Sequence, residues 1–119
     1  MIDSMTTTWL NWFQQAYRIL QAVNPSVSTD NGDAAVTLTA GKNALVQRWA
    51  TALTAHRAVT LSTTGAYTGA TFRVVRESTA TGAFNLNVGT GPLKALAAGT
   101  WCDVAFNGTA WQLTGYGSL

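Results

Sequence analysis

The chain has 119 residues, of which 10% are charged, and its formal net charge is +2. That length suits a single domain with one modest core and leaves no room for a second, catalytic domain. The seven Lys and Arg residues are scattered singly rather than in a basic run, which argues against a nucleic-acid-binding protein.

The N-terminal region, residues 6–23, predicts an amphipathic helix. Its apolar side chains recur at alternating steps of four and three, the spacing of a 3.5-residue repeat, at Trp9, Phe13, Ala16, Leu20 and Val23. Pro25 disfavours helical geometry at the residue before it and ends the helix. Further apolar residues flank this row, so the apolar face is too broad for a lone helix in water. We expect other protein to cover it, through Trp9, Trp12, Phe13, Ala16, Tyr17, Leu20 and Val23.

The segment after this helix, SVSTDNGDAA, is typical of a linker or turn, because Asn31-Gly32 easily adopts positive φ. We therefore divide the chain into a helix and linker, residues 1–30, and a β-domain, residues 31–119.

Short runs of alternating apolar and polar residues fill the β-domain, as in Phe84, Leu86 and Val88. Glycine-rich breaks separate these runs at the spacing of a sandwich or barrel. The strands are predicted near Ala35–Ala40, Ala44–Thr51, Arg57–Ser62, Thr71–Glu77, Ala83–Val88, Leu93–Ala97, Trp101–Phe106 and Ala110–Tyr116. The fold class expected is mainly β: an antiparallel β-sandwich or jelly-roll-like domain preceded by an N-terminal amphipathic α-helix.

The last two strands are predicted to form a hairpin. Asn107-Gly108 lies between them, and this dipeptide is a strong hairpin signal because both residues tolerate positive φ. Trp101 and Trp111 would then lie on paired strands and cover one end of the core.

The sequence holds few groups that could carry chemistry. His56 is the single histidine and has no carboxylate motif beside it, so we expect a structural or surface role. Cys102 is the single cysteine; flanked by Trp101 and Asp103 within a strand, it is expected to be a buried thiol. Neither a zinc-type ligand group nor a complete calcium loop is present. We therefore expect no catalytic residue, no cofactor and no metal.

Three aromatic residues are candidates for facing a ligand, because an exposed Trp or Tyr can stack on a sugar ring. They are Tyr67, in TTGAYTGA, Trp49 and Tyr116. A glycan is thus kept as an alternative ligand.

The N-terminus MIDSM lacks the pattern of a signal peptide, and no run of about 18 apolar residues occurs, so no membrane partner is expected.

Residues 53–119 carry a familiar order of motifs: LTAHRAVTL, GAYTGATFRVVR, LNVG and GTWCDVAFNGTAW. In this order they resemble the β-domain near the C-terminal ends of tail-fibre, tailspike-associated and other virion proteins of tailed bacteriophages. The resemblance implies a trimeric structural or adhesive role and supplies no catalytic residue.

On this basis the chain is expected to be a virion structural protein, made in the host cytoplasm. It would be a homotrimeric capsid decoration or cement protein, or a short head fibre, that stabilises the particle through protein contacts. Its partners would be itself and other virion proteins, such as the major capsid protein or a tail component. The helices would either bundle together or dock on a β-domain or another virion protein. The alternative is a tail-fibre-type attachment module that binds host glycans through loops around Tyr67 and Gly89–Pro92.

Overall fold

The computed structural model of this chain describes residues 27–119, and the predicted N-terminal helix lies outside them. The described residues form nine strands: β1 Val27–Asp30, β2 Val36–Leu38, β3 Val46–Trp49, β4 Arg57–Leu61, β5 Thr71–Arg76, β6 Leu86–Val88, β7 Lys94–Leu96, β8 Thr100–Phe106 and β9 Trp111–Ser118. The eight strands predicted from alternation are confirmed as β2–β9. The first strand, β1, lies within the segment that the sequence analysis assigned to a linker.

The nine strands form two sheets. Sheet A has the order β1-β3-β5-β8-β9, and sheet B has the order β2-β4-β6-β7. From β1 to β6 the chain alternates between the sheets, so each turn of the chain adds one strand to both. These added strands are parallel to their neighbours. The chain then reverses at β7 and finishes with β8 and β9, which pair antiparallel.

The mainly β class is confirmed, but the expectation of an antiparallel domain is wrong. Four of the seven strand pairings in residues 27–119 are parallel. Alternation indicates that one face of a strand is buried and does not identify the neighbouring strand. Parallel strands are usually buried on both faces, whereas these keep one face in solvent and so have the alternation of antiparallel strands.

The core lies between the two sheets and consists of their inward-facing side chains together with Leu53 and Ala70 from loops. Its buried members are Leu38, Trp49, Leu53, Val59, Leu61, Ala70, Phe72, Val74, Leu86, Val88, Leu96, Cys102, Val104, Phe106 and Trp111. The thiol of Cys102 is fully buried, as expected, and burial raises its pKa to about 11. Within residues 27–119 no helix is long and apolar enough to span a membrane.

The predicted hairpin is confirmed, with a four-residue loop between Phe106 and Trp111. The Asn107 side chain accepts hydrogen bonds from the backbone N–H groups of Thr109 and Ala110. Trp111 belongs to the core, but Trp101 faces the outside of sheet A and does not cover the core. Cross-strand pairing explains this, because Trp101 lies opposite Gly117 while its neighbour Cys102 faces inward.

Candidate functional site

Four loops meet at one end of the two sheets, which we call the loop end. They are residues 39–45, 62–70, 89–93 and 107–110. Hydrogen bonds tie loop 62–70 to the last two strands: the indole N–H of Trp111 donates to the Ser62 carbonyl at 3.1 Å, and the Gly69 N–H donates to the Phe106 carbonyl at 2.9 Å. The core therefore fixes the loop end in place, which suits a surface that binds something.

An open cleft of about 240 Å³ lies at the loop end, between loop 89–93 and the β8–β9 hairpin. It is lined by Leu61, Thr63, Gly89, Thr90, Leu93, Thr109, Ala110 and Trp111. Its polar side chains are three threonine hydroxyls, and no charged side chain lines it. The Trp111 N–H already donates to Ser62, so this indole offers an apolar wall rather than a free donor. A cleft of this kind suits a neutral ligand with both hydroxyl and apolar surface.

Of the three aromatic residues predicted to face a ligand, Tyr67 and Tyr116 are exposed. The Tyr67 side chain is at the loop end, 58% exposed, although it does not line the cleft, and Tyr116 lies on the edge strand β9. Trp49 is fully buried, so the expectation that it faces a ligand is wrong. Arg48 points outward from β3 and Trp49 alternates inward, where its indole N–H donates to the Ala34 carbonyl at 3.1 Å.

At the opposite end of the sheets, a buried arginine organises loop 77–85. Arg76 is fully buried, and its guanidinium donates to backbone carbonyls rather than to a carboxylate. The closest acceptors are the carbonyls of Phe84 at 2.6 Å, Leu96 at 2.8 Å and Ala80 at 2.9 Å. Burial lowers its pKa from the usual arginine value. Sequence reasoning missed this role, although Arg76 continues the inward alternation of Phe72 and Val74.

His56 lies near this loop and has a structural contact. Its Nδ1 accepts a hydrogen bond from the Asn85 backbone N–H at 2.9 Å, and its ring packs edge-on against Phe84, 5.3 Å between centroids. Phe84 was expected to face inward with Leu86 and Val88, but it precedes β6 and is 38% exposed.

Every carboxylate in residues 27–119 already accepts hydrogen bonds. Three of them pair with arginines, as Arg48–Glu77, Arg57–Asp33 and Arg73–Asp103. The fourth, Asp30, accepts bonds from the Thr51 hydroxyl and from the backbone N–H groups of Ala50 and Gly32. These bonds lower the pKa of Asp30. In the described part of the chain no three His, Cys, Asp or Glu side chains are grouped so as to hold a metal ion.

The outer face of sheet A carries a shallow depression of about 290 Å³. It is lined by Leu45, Val46, Thr71, Phe72, Arg73, Asp103, Val104 and Thr114. The Arg73 guanidinium binds the Asp103 carboxylate through two bonds of 2.7 and 2.9 Å. It also lies 4.6 Å from the centre of the Trp101 ring, so its charge is balanced within the face. The depression is thus nearly neutral and partly apolar.

The outer face of sheet B carries no charged side chain. Its residues are Thr37, Ala58, Thr60, Asn87 and Ala95. The predicted assembly interface lies outside the described residues. It consists of Trp9, Trp12, Phe13, Ala16, Tyr17, Leu20 and Val23.

Comparison of the chain with protein-family models, with curated proteins and with solved structures finds no match.

Proposed function

We propose that this chain is a structural protein of a tailed-bacteriophage virion, without catalytic activity. In this proposal it is a homotrimer that decorates or cements the capsid, or forms a short head fibre. The main support is the internal balance of charge. In each of the three arginine–carboxylate pairs the two charges neutralise each other within the chain, and the outer face of sheet B has no charged side chain. Such faces can be buried against another protein without leaving an unpaired charge in the interface.

The mechanism proposed is thermodynamic stabilisation of the assembled particle. A protein that binds only the assembled lattice adds its binding free energy to that state, as any selective ligand does. The partner would be the major capsid protein or a tail component. Neutral contact faces favour this role, because affinity then depends on shape and apolar burial more than on ionic strength.

The N-terminal segment supplies the second part of the proposal. Its apolar residues, from Trp9 to Val23, would be buried between copies of the chain or against the partner. Burying an apolar side chain is worth roughly 1.5–3 kcal/mol, whereas ordering each residue costs about 1–2 kcal/mol in backbone entropy. A helix of this length is marginal by itself, so association through neighbours stabilises it.

The test is to image virions by electron microscopy, comparing particles with and without this protein. We expect density for three copies at repeated positions on the head, and capsids that lose their genome at lower temperature when the protein is removed. Adding back purified protein should restore both, and a Leu20→Asp variant should restore neither. A control variant, Gln14→Asp, changes the polar side of the predicted helix and should act like the natural protein. Unchanged capsid stability without the protein, together with no density on the head, would reject the decoration role.

A second function is supported by Tyr67 and the cleft at the loop end. An exposed tyrosine at the same end of the sheets as a cleft lined by threonine hydroxyls has the chemistry to stack on and hydrogen-bond to a neutral sugar. The chain would then be a tail-fibre-type module that attaches to host glycans. Binding to a glycan array that Tyr67→Ala abolishes would favour this role. Phe84→Ala is the matched control, because Phe84 is an exposed aromatic residue at the opposite end of the sheets.

A further inference from the structure

Among residues 27–119, strand β9 is an edge of sheet A whose one protective feature against pairing is a β-bulge opposite Asp103 and Val104. Its sequence, WQLTGYGS, contains no charged residue and no proline, and its eight residues make it the longest strand in residues 27–119. Proteins normally protect such an edge with charges, prolines or a very short strand, because the unpaired N–H and C=O groups bind another strand. An uncharged edge of this length suits pairing with another strand.

Within the described residues, no strand of sheet B lies opposite the inner side of β9. Sheet A has five strands and sheet B has four, so β9 extends beyond the last strand of sheet B, β7. Tyr116 lies opposite the buried Cys102 and so faces the sheet B side, yet its side chain is 62% exposed. The Lys94 ammonium lies 4.0 Å from the centre of the Tyr116 ring. A neighbour placed against this edge would bury both side chains.

Among residues 27–119, the other edge of sheet A is β1. Beside it Val27 is half exposed, and Asp30 lies at its end. Among the Asp, Glu, Lys and Arg side chains on the surface of residues 27–119, three make no ion pair: Asp30, Lys42 and Lys94. The carboxylate is on the β1 edge and one of the two ammonium groups is beside the β9 edge. Opposite charges at the two ends of one sheet favour pairing between copies of the chain.

The strand register places these groups at one level. Asp30 lies across from Arg48, and the row continues through Val75 and Trp101 to Gly117 on β9. Tyr116, under the Lys94 ammonium, is the adjacent residue. Moreover, β9 runs in the same direction as β1, because it is antiparallel to β8 and β8 is antiparallel to β5. A second copy turned about an axis along the strands therefore brings its β1 beside β9 as a parallel pair, without a shift along the strands.

We infer that the β9 edge of one copy pairs with the β1 edge of the next, so that sheet A continues from copy to copy around a closed ring. This inference rests on the proposed trimer and identifies its interface. The contact is heterologous, because two different edges meet, and three such contacts close a ring. All three loop ends then face the same direction, which presents three neutral clefts together.

Engineered disulfides test this interface in the full-length chain. Val27 on β1 and Thr114 on β9 lie at nearly the same level, and both are exposed. Within one copy their strands are four spacings apart, about 19 Å, too far for a disulfide. Oxidation of a Val27→Cys, Thr114→Cys variant should therefore link different copies into a covalent trimer that a reducing agent dissolves. The matched control moves one cysteine to the middle of sheet B, as Ala58→Cys with Thr114→Cys, and should not cross-link.

Native mass spectrometry of the same samples separates failure of the interface from failure of the trimer. A trimer whose Val27→Cys, Thr114→Cys pair does not cross-link would overturn the edge pairing and leave the trimer standing. Cross-linking by the Ala58→Cys control to the same extent, or through Thr114→Cys alone, would also overturn it. A chain that is monomeric by mass would contradict both the interface and the proposed trimer.

A charge variant gives a second measurement that needs no cysteine. Lys94→Glu should weaken association at low salt by up to about fivefold, because it reverses the charge beside the β9 edge, at the level of Asp30 on the β1 edge. Lys94→Arg keeps the charge and should associate like the natural chain. Equal association of Lys94→Glu and Lys94→Arg at low salt would contradict the proposed contact.

Discussion

Replacing Arg76 by methionine should destabilise the β-domain more than any change to an exposed arginine. The aliphatic part of the side chain would be kept while the guanidinium is lost. Three carbonyls that now accept bonds of 2.9 Å or shorter, those of Phe84, Leu96 and Ala80, would lose the guanidinium donor. Each buried polar group left unsatisfied costs about 1–3 kcal/mol. Water entering loop 77–85 would recover part of this, so we expect a loss of about 3–6 kcal/mol from the free energy of unfolding, against a typical total of about 5–15 kcal/mol.

The matched control is Arg73→Met, on the same strand. The Arg73 side chain is 50% exposed and pairs with Asp103, and an exposed pair of this kind contributes at most about 1 kcal/mol. Urea unfolding followed by tryptophan fluorescence, at one fixed protein concentration, compares the two variants. Hydrogen exchange should also show faster amide exchange across loop 77–85 in Arg76→Met alone. If Arg76→Met costs no more than Arg73→Met, the guanidinium is not what holds this loop.

Three further predictions concern a glycine, a carboxylate and a thiol. Gly82 has φ +119°, and an added Cβ would lie 2.6 Å from the Leu53 carbonyl oxygen, so Gly82→Ala should cost about 2–5 kcal/mol of unfolding free energy. Gly41 has φ +80° with open space around an added Cβ, so Gly41→Ala should cost about 1 kcal/mol in the same urea titration. The hydrogen bond from Arg57 holds the pKa of Asp33 well below its usual range. The ionised Asp33 therefore stabilises the fold fully above about pH 4, where the unfolded carboxyl is ionised, and this stabilisation is lost as the pH falls further. Unfolding free energies measured from pH 6 to 2 should decline less steeply for Asp33→Asn, and an identical decline would contradict a stabilising Arg57–Asp33 pair. Because Cys102 is buried with its pKa raised to about 11, a thiol reagent at pH 8 should modify it only slowly until urea unfolds the chain. Rapid reaction in the folded state would contradict this and show that β8 opens.

Local pattern predicted local structure well in this chain. Alternation located β2–β9, and Asn107-Gly108 located the final hairpin, because both signals depend on neighbouring residues alone. Pattern did not predict which strands pair. Two parallel neighbours are connected through a strand of the other sheet. An alternating run looks the same in the sequence whether its strand pairs with a parallel or an antiparallel neighbour.

The candidate site was harder to predict because side-chain placement depends on the whole fold. Tyr67 was correctly expected to be exposed, whereas the inward alternation of β3 buries Trp49. Arg76 occupies an inward position where an apolar residue is the ordinary expectation, and only the folded path of loop 77–85 supplies its acceptors. Sheet A has one strand more than sheet B, which leaves Tyr116 uncovered by sheet B. This difference likewise follows from topology rather than from any run of residues.

The central claim is that this chain works as a self-associated structural protein, and the mass of the purified full-length chain in solution tests it most directly. Sedimentation velocity should give one species with the mass of three chains at micromolar concentration, and Leu20→Asp should shift it toward the mass of one chain. A natural chain that sediments as a folded monomer over this concentration range would contradict the account.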